Sequence, residues 1–159
     1  MSLPHCWPRV AGWNGIAMTD PVERIKLDEG YRRYPYRCSE GVLTIGYGRN
    51  IDPDHGGQGL DEIEASFLLR NNLSSAEIDL KSIFPGWRDI GYVRQAALLN
   101  MRFQLGASGF RGFRLMIRHA NAGQWIRAAR EATLSKWARQ TPERAYRVAM
   151  EIRDGVALP

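Results

Sequence analysis

Three side chains that could hydrolyse a bond lie close together in the sequence. Cys38 follows Glu29 by nine residues and Thr44 follows Cys38 by six, in a stretch rich in glycine and tyrosine. A carboxyl group shielded from water by aromatic rings can hold its proton near neutral pH and donate it to a leaving oxygen. A second polar group across the gap would activate water or stabilise positive charge on a sugar ring. The spacing is therefore compatible with a hydrolytic site in which Thr44 orients the water.

Each of these residues also has an ordinary structural explanation. A glutamate at a helix end is most often a solvated side chain, and a cysteine in a small sheet most often packs as a hydrophobe. Threonine is common in strands for its shape alone. Spacing by itself favours these structural explanations over a catalytic one.

Two predicted elements position the three residues. The first helix has a capping-box pattern at Asp20–Glu23, with proline at the first helical position. It ends at Gly30, which puts Glu29 on its last turn, where the carboxylate can face a cleft. Strand-forming residues and glycines over 31–51 predict a small antiparallel sheet of two or three strands, and 52–59 is a loop.

The rest of the chain has helical patterns. A helix capped by Asp61 runs to Pro85–Gly86 and is long enough to join two lobes. Further helices are expected at 92–105 (buried and closed by Gly106), at 109–122, at 124–133, and from Thr141, which caps a helix that begins with Pro142.

The expected fold class is α+β. We expect a small antiparallel sheet lobe at about 31–59 and a larger helical lobe at about 84–159 that includes the first helix, with a ligand cleft between the lobes. Aromatic residues should fill the helical core: Trp87, Trp125, Trp137, Phe103, Phe110 and Phe113. For Phe103 the alternative is a position at the border of the cleft. Arginines should form an exposed basic face: Arg111, Arg114, Arg118, Arg127 and Arg130.

Composition limits the partners. The 159 residues are 44% apolar and carry a formal charge of +5, which favours an anionic partner such as a nucleic acid, a cell wall or a membrane surface. No apolar run is long enough to cross a membrane, so we expect no membrane insertion. No helix-turn-helix, zinc-finger or RNP signature is present, so we expect no nucleic-acid partner.

Cysteine, histidine and the N-terminal residues suggest little further chemistry. Two cysteines are too few for a zinc cluster, but they allow one Cys6–Cys38 disulfide, which would block the site until it is reduced. The three histidines lack metal-binding spacing, so we expect no metal. Residues 1–17 have no continuous apolar segment and are treated as an extension of uncertain role before a single domain at 18–159.

Residues 28–48, DEGYRRYPYRCSEGVLTIGYG, resemble the active-site signature of the phage-type lysozymes of glycoside hydrolase family 24, in particular the T-even phage type. Three further segments match that family in the same order, at 100–106, 109–113 and 135–148. The resemblance covers nearly all of the chain after the first seventeen residues, and it implies a lysozyme-like fold.

The resemblance also implies roles for individual residues. Glu29 matches the general acid, and Thr44 matches the threonine that positions the attacking water. Cys38 stands where most members have aspartate and some have cysteine. Supporting or substrate-binding positions are Asp28 beside the acid, Gln104 in the cleft and Arg144 near the catalytic glutamate. The structural alternatives are that Gln104 satisfies backbone groups and that Arg144 pairs with Glu143 or Glu151.

Two departures from the family pattern affect the chemistry. Arg49 replaces a histidine, so a histidine–aspartate pair with Asp28 would become an arginine–aspartate pair. Cys38 supplies negative charge only as a thiolate, which nearby arginines such as Arg37 would favour. Otherwise Glu29 and Thr44 carry most of the chemistry.

The function implied is that of an endolysin-like muramidase acting on peptidoglycan, without metal or organic cofactor and as a monomer. With no export signal recognised, we expect it in the bacterial cytoplasm until a phage pore protein releases it to the wall. The alternative is a non-catalytic peptidoglycan-binding or virion module in which Cys38 marks lost activity. A nucleic-acid-binding helical protein is suggested by charge alone.

Overall fold

A computed structural model describes residues 21–158 of the chain. It contains helices and one three-stranded antiparallel sheet, which confirms the predicted α+β class. Two compact units divide at Ala65 and Ser66. The division places the first helix with the sheet, and the predicted lobe boundaries stay predictions. The extension at 1–17 and the capping residue Asp20 lie outside the described residues.

The first unit contains the sheet, and it begins with the helix that carries Glu29. Gly30 ends that helix with a positive φ of 68°, a conformation that glycine adopts without steric cost, as predicted. The elements are α1 (Pro21–Glu29), β1 (Arg32–Arg37), β2 (Leu43–Gly46), β3 (Arg49–Asn50) and a short 3₁₀ helix (Pro53–His55). The strands pair in the order β1-β2-β3, and Thr44 on β2 lies opposite Tyr36 on one side and Asn50 on the other.

The long helix α2 (Glu62–Ile83) begins at the predicted cap. The Glu64 N–H donates to Asp61 Oδ1 at 2.8 Å, and the Asp61 N–H donates to Glu64 Oε2 at 3.0 Å. This reciprocal capping box satisfies two backbone donors at the helix start. The local pattern therefore predicted both the start of α2 and its cap.

Five further helices form the second unit together with most of α2: α3 (Tyr92–Arg111), α4 (Arg114–Asn121), α5 (Trp125–Thr133), α6 (Lys136–Gln140) and α7 (Pro142–Asp154). At Gly106 the backbone leaves the helical conformation, with φ 70° and ψ 171°, but helical hydrogen bonding resumes up to Arg111. The predicted helix at 109–122 is interrupted at 112–113, and α6 was not predicted. Thr141 precedes α7, but its hydroxyl donates to the Trp137 carbonyl instead of capping the helix as predicted.

The helical core follows the aromatic prediction with one exception. Trp87, Trp137 and Phe110 are buried, while Trp125 and Phe113 pack partly buried against the core. Phe103 is 42% exposed, so its predicted core position is wrong. The reason is helical geometry, because a residue two positions after the buried Met101 points about 200° away from it.

The predicted exposure of the arginines in the second unit is confirmed, and their arrangement on one face stays a prediction. The five arginines of the predicted basic face are all exposed: Arg111, Arg114, Arg118, Arg127 and Arg130. Among these, Arg111 also pairs with Asp79 on α2. No helix within residues 21–158 combines the length and apolarity needed to cross a membrane.

Candidate active site

Glu29, the predicted general acid, lies at the end of the first helix. Glu29 is the last residue of α1, and its side chain is partly buried. Burial raises the pKa of its carboxyl above the ordinary value, and the neighbouring charge of Asp28 raises it further. Both effects disfavour the ionised form. Glu29 therefore keeps its proton to a higher pH than an exposed glutamate, as a general acid requires.

The middle strand holds Thr44 in a buried position. Its residue surface is 3% exposed, and its hydroxyl donates to the Val42 carbonyl oxygen at 3.1 Å. A hydroxyl has one proton to donate and two lone pairs to accept with. Because the hydroxyl proton is already donated to Val42, the Thr44 oxygen can act only as an acceptor. This agrees with its predicted role, which is to accept a hydrogen bond from the attacking water.

Cys38 begins the turn that joins β1 to β2. Its N–H donates to the Val42 carbonyl at 3.0 Å, and its own carbonyl accepts from the Gly41 N–H at 2.9 Å. Cys38 is disulfide-bonded in the structure, and its predicted partner Cys6 lies outside the described residues. A disulfide sulfur carries no ionisable proton, so a thiolate at this position requires reduction first.

Arg49 pairs with a carboxylate other than the one expected. It forms an ion pair with Glu64 and also donates to the Gly59 carbonyl oxygen. The Arg49 hydrogen bond is the main cause that lowers the pKa of Glu64, and the capping box lowers it further. Across residues 21–158 no ion pair joins Arg49 to Asp28, which is exposed at the end of α1. Arg49, which stands where the family has histidine, thus connects β3 to the start of α2 through its ion pair with Glu64.

The remaining two candidates lie in the second unit, in a short polar row. The indole Nε1 of Trp137 donates to Gln104 Oε1 at 2.9 Å, and Arg144 Nε donates to Asn100 Oδ1 at 2.9 Å. Asn100 and Gln104 are four residues apart on α3, so they share one face of that helix. Arg144 is therefore held by an amide and not by the carboxylates of the structural alternative. A groove of about 560 Å³ lined by Trp137 lies in the same unit.

Sequence reasoning missed Asp52. This carboxylate is buried, at 5% exposure, and its pKa is lowered, chiefly by the hydrogen bond from the Leu43 N–H. Asp52 also caps the short 3₁₀ helix by accepting from the Asp54 N–H at 3.2 Å. The signal available was an aspartate followed by proline, a common start of a helical turn. That signal predicts the cap but not the contact with Leu43.

Side chains of the types that bind metal ions are scattered in the described part of the chain. Within residues 21–158 no cluster of three or more histidine, cysteine or acidic side chains is arranged to hold a metal ion. Glu29 and Thr44 are the residues of the first unit to which the family resemblance assigns proton donation and orientation of water.

Comparison with known proteins gives a family. The phage lysozyme profile matches residues 26–150. The pre-baseplate central spike protein Gp5 of Enterobacteria phage T4 is 32% identical over 160 aligned residues, which cover 84% of this chain and 28% of the spike protein. A probable T4-type lysozyme 1 of Dictyostelium discoideum is 27% identical over 158 aligned residues, which cover 84% of this chain and 93% of the relative. The chain thus spans under a third of the spike protein and nearly all of the amoebal one.

Proposed function

Because the chain belongs to the phage lysozyme family, we propose that it is a muramidase. It hydrolyses the β-1,4 bond between N-acetylmuramic acid and N-acetylglucosamine in peptidoglycan. The observation that carries this proposal is the partly buried Glu29 at the end of α1, whose carboxyl has a raised pKa. The formal charge of +5 favours an anionic polymer as substrate.

The proposed reaction needs two groups of the first unit. Protonated Glu29 donates its proton to the glycosidic oxygen as the bond to the anomeric carbon breaks. A water that donates to Thr44 Oγ1 attacks that carbon and loses its proton to solvent or, where the disulfide has been reduced, to the Cys38 thiolate. We also propose that Gln104 and Arg144 bind the polysaccharide.

The test is to identify the bond that is cut. Purified sacculi are digested with the wild-type protein, the new ends are reduced with borohydride, and the reduced sugar is identified. Reduced muramic acid ends are expected, and their absence with Glu29→Gln ties them to the acid. Reduced glucosamine ends, or non-reducing anhydro ends, would contradict a hydrolytic muramidase.

A second candidate is a non-catalytic peptidoglycan-binding or virion module. It is favoured by the 32% identity to a phage central spike protein and by a disulfide-bonded Cys38 where aspartate is usual. This candidate predicts that folded protein binds sacculi without releasing reducing ends, both with and without a reductant. Turnover that appears or rises in Cys38→Asp would show that the site is otherwise competent and that Cys38 stands in the aspartate's position.

Lysis of cells is a separate part of the proposal. We propose that the protein accumulates in the bacterial cytoplasm and reaches the wall only after the inner membrane is opened. Cells that express it should remain intact until chloroform is added and then lose turbidity. Lysis without chloroform would contradict a need for release.

A further inference from the structure

We infer that Asp52 is a positioning residue for the hydrolytic site, because its carboxylate holds the residues that immediately precede Cys38 and Thr44. This inference rests on the proposed function and adds a residue to it. Asp52 lies after β3, outside every segment that carries the family resemblance.

One carboxylate oxygen contacts both strands of the hairpin. Asp52 Oδ2 accepts from the Leu43 N–H at 3.0 Å, and it lies 3.4 Å from Nη1 of Arg37. Leu43 precedes Thr44 on β2, and Arg37 precedes Cys38 at the end of β1. A shift of Asp52 would therefore move both residues of the proposed site.

Arg37 extends this control to the turn itself. The same Nη1 donates to the Gly41 carbonyl oxygen at 2.7 Å. The guanidinium thus bridges the Asp52 carboxylate and the last residue of the Cys38–Gly41 turn. A charged acceptor strengthens such a bridge relative to a neutral one.

The backbone around Asp52 is fixed as firmly as its side chain. Its N–H donates to Asn50 Oδ1 at 2.8 Å, and its carbonyl accepts from the His55 and Gly57 N–H groups at 3.1 and 2.7 Å. Asn50 is also the β3 residue opposite Thr44. These hydrogen bonds hold residues 52–57, called the Asp52 loop below, in one conformation. Through Asp52 this loop stabilises the hairpin.

Asp52→Asn is the informative substitution. It keeps the volume but removes the charge, and its one carbonyl oxygen cannot replace both Oδ2, which accepts from the Leu43 N–H, and Oδ1, which accepts from the Asp54 N–H. We expect kcat on solubilised glycan strands to fall about 10²-fold, as a displacement near 1 Å can cause. KM should change little, because the affected residues orient water and do not hold the sugars.

Two controls separate positioning from loss of stability. Asp54→Asn removes a neighbouring charge whose side chain forms no hydrogen bond or ion pair with the hairpin within residues 21–158, and it should leave kcat unchanged. Asp79→Asn removes a carboxylate of the second unit that pairs with Arg102 and Arg111, and it should lower the unfolding midpoint with little change in kcat. All assays are run at least 20 °C below each variant's unfolding midpoint.

A double-mutant cycle with Thr44→Val gives the decisive result. If Asp52 acts through the position of Thr44, Asp52→Asn should cost much less in the Thr44→Val background than in wild type. Equal losses in both backgrounds, or an unchanged kcat in Asp52→Asn, would overturn this inference and leave the proposed function intact. An inactive wild type would overturn the proposed function and this inference together.

Discussion

The interactions that stabilise the first unit internally differ from those that stabilise the second. In the second unit a core of seventeen buried apolar residues packs between helices. In the first unit the buried residues within 21–65 are Thr44 and Asp52, and both are polar. Packing of many apolar side chains tolerates small changes, whereas a few directed hydrogen bonds do not. Substitutions in the second unit should therefore act first on stability, and those near the hairpin first on activity.

The largest stability effect should come from Phe110→Ala. Phe110 is fully buried and its ring contacts Phe84 edge-to-face at 6.3 Å between centroids. Truncating a buried phenylalanine costs about 3–5 kcal/mol through lost burial and the cavity left behind. Urea denaturation should show this loss in the free energy of unfolding, with kcat nearly unchanged well below the midpoint. A loss below about 1 kcal/mol would contradict the account of the core.

Gly57→Ala should displace the hairpin indirectly, by shifting the Asp52 loop. A Cβ at Gly57 would lie 2.4 Å from the backbone nitrogen of Asp52, so the loop must shift. Because that loop supports Leu43 and Thr44, kcat should fall by about tenfold or more. Gly86→Ala is the matched control, since no atom lies within 4 Å of its added Cβ. If the two variants have equal kcat values, the position of the Asp52 loop does not affect the reaction, and this prediction is wrong.

Trp137→Phe tests the polar row of the second unit. The substitution keeps an aromatic ring in the core but removes the indole N–H that donates to Gln104. The free energy of unfolding should fall by about 1 kcal/mol. In a Gln104→Ala background the same substitution should cost less, because the acceptor is already absent. If the losses in unfolding free energy of Trp137→Phe and Gln104→Ala simply add in the double variant, measured by chemical denaturation, the hydrogen bond contributes nothing to stability.

Asp28→Asn should give the smallest effect, a change in pH dependence. The charge of Asp28 helps to raise the pKa of Glu29, so its removal lowers that pKa. A general acid works in its protonated form, and the rate is lost as pH rises through its pKa. The alkaline limb of the kcat profile should therefore move to lower pH. A limb that stays in place or moves to higher pH would contradict this assignment.

Local patterns predicted the elements better than the contacts between them. Gly30 and the Asp61–Glu64 capping box were found because their signals lie within a few residues of the structure they form. The partners of Asp52 are nine and fifteen residues away in the chain, and no local pattern indicates them. Arg49 likewise pairs with Glu64 across fifteen residues. Side-chain partners depend on tertiary placement, which spacing does not give.

The central claim is that Glu29 donates the proton that breaks the glycosidic bond. The most direct measurement compares the rate of reducing-end release from purified sacculi by wild type and by Glu29→Gln, with the unfolding midpoint of each recorded. The account predicts a loss of about 10²–10⁴-fold in rate, with a midpoint that is unchanged or slightly higher because a partly buried carboxylate is removed. A Glu29→Gln protein that folds and releases reducing ends at the wild-type rate would contradict it.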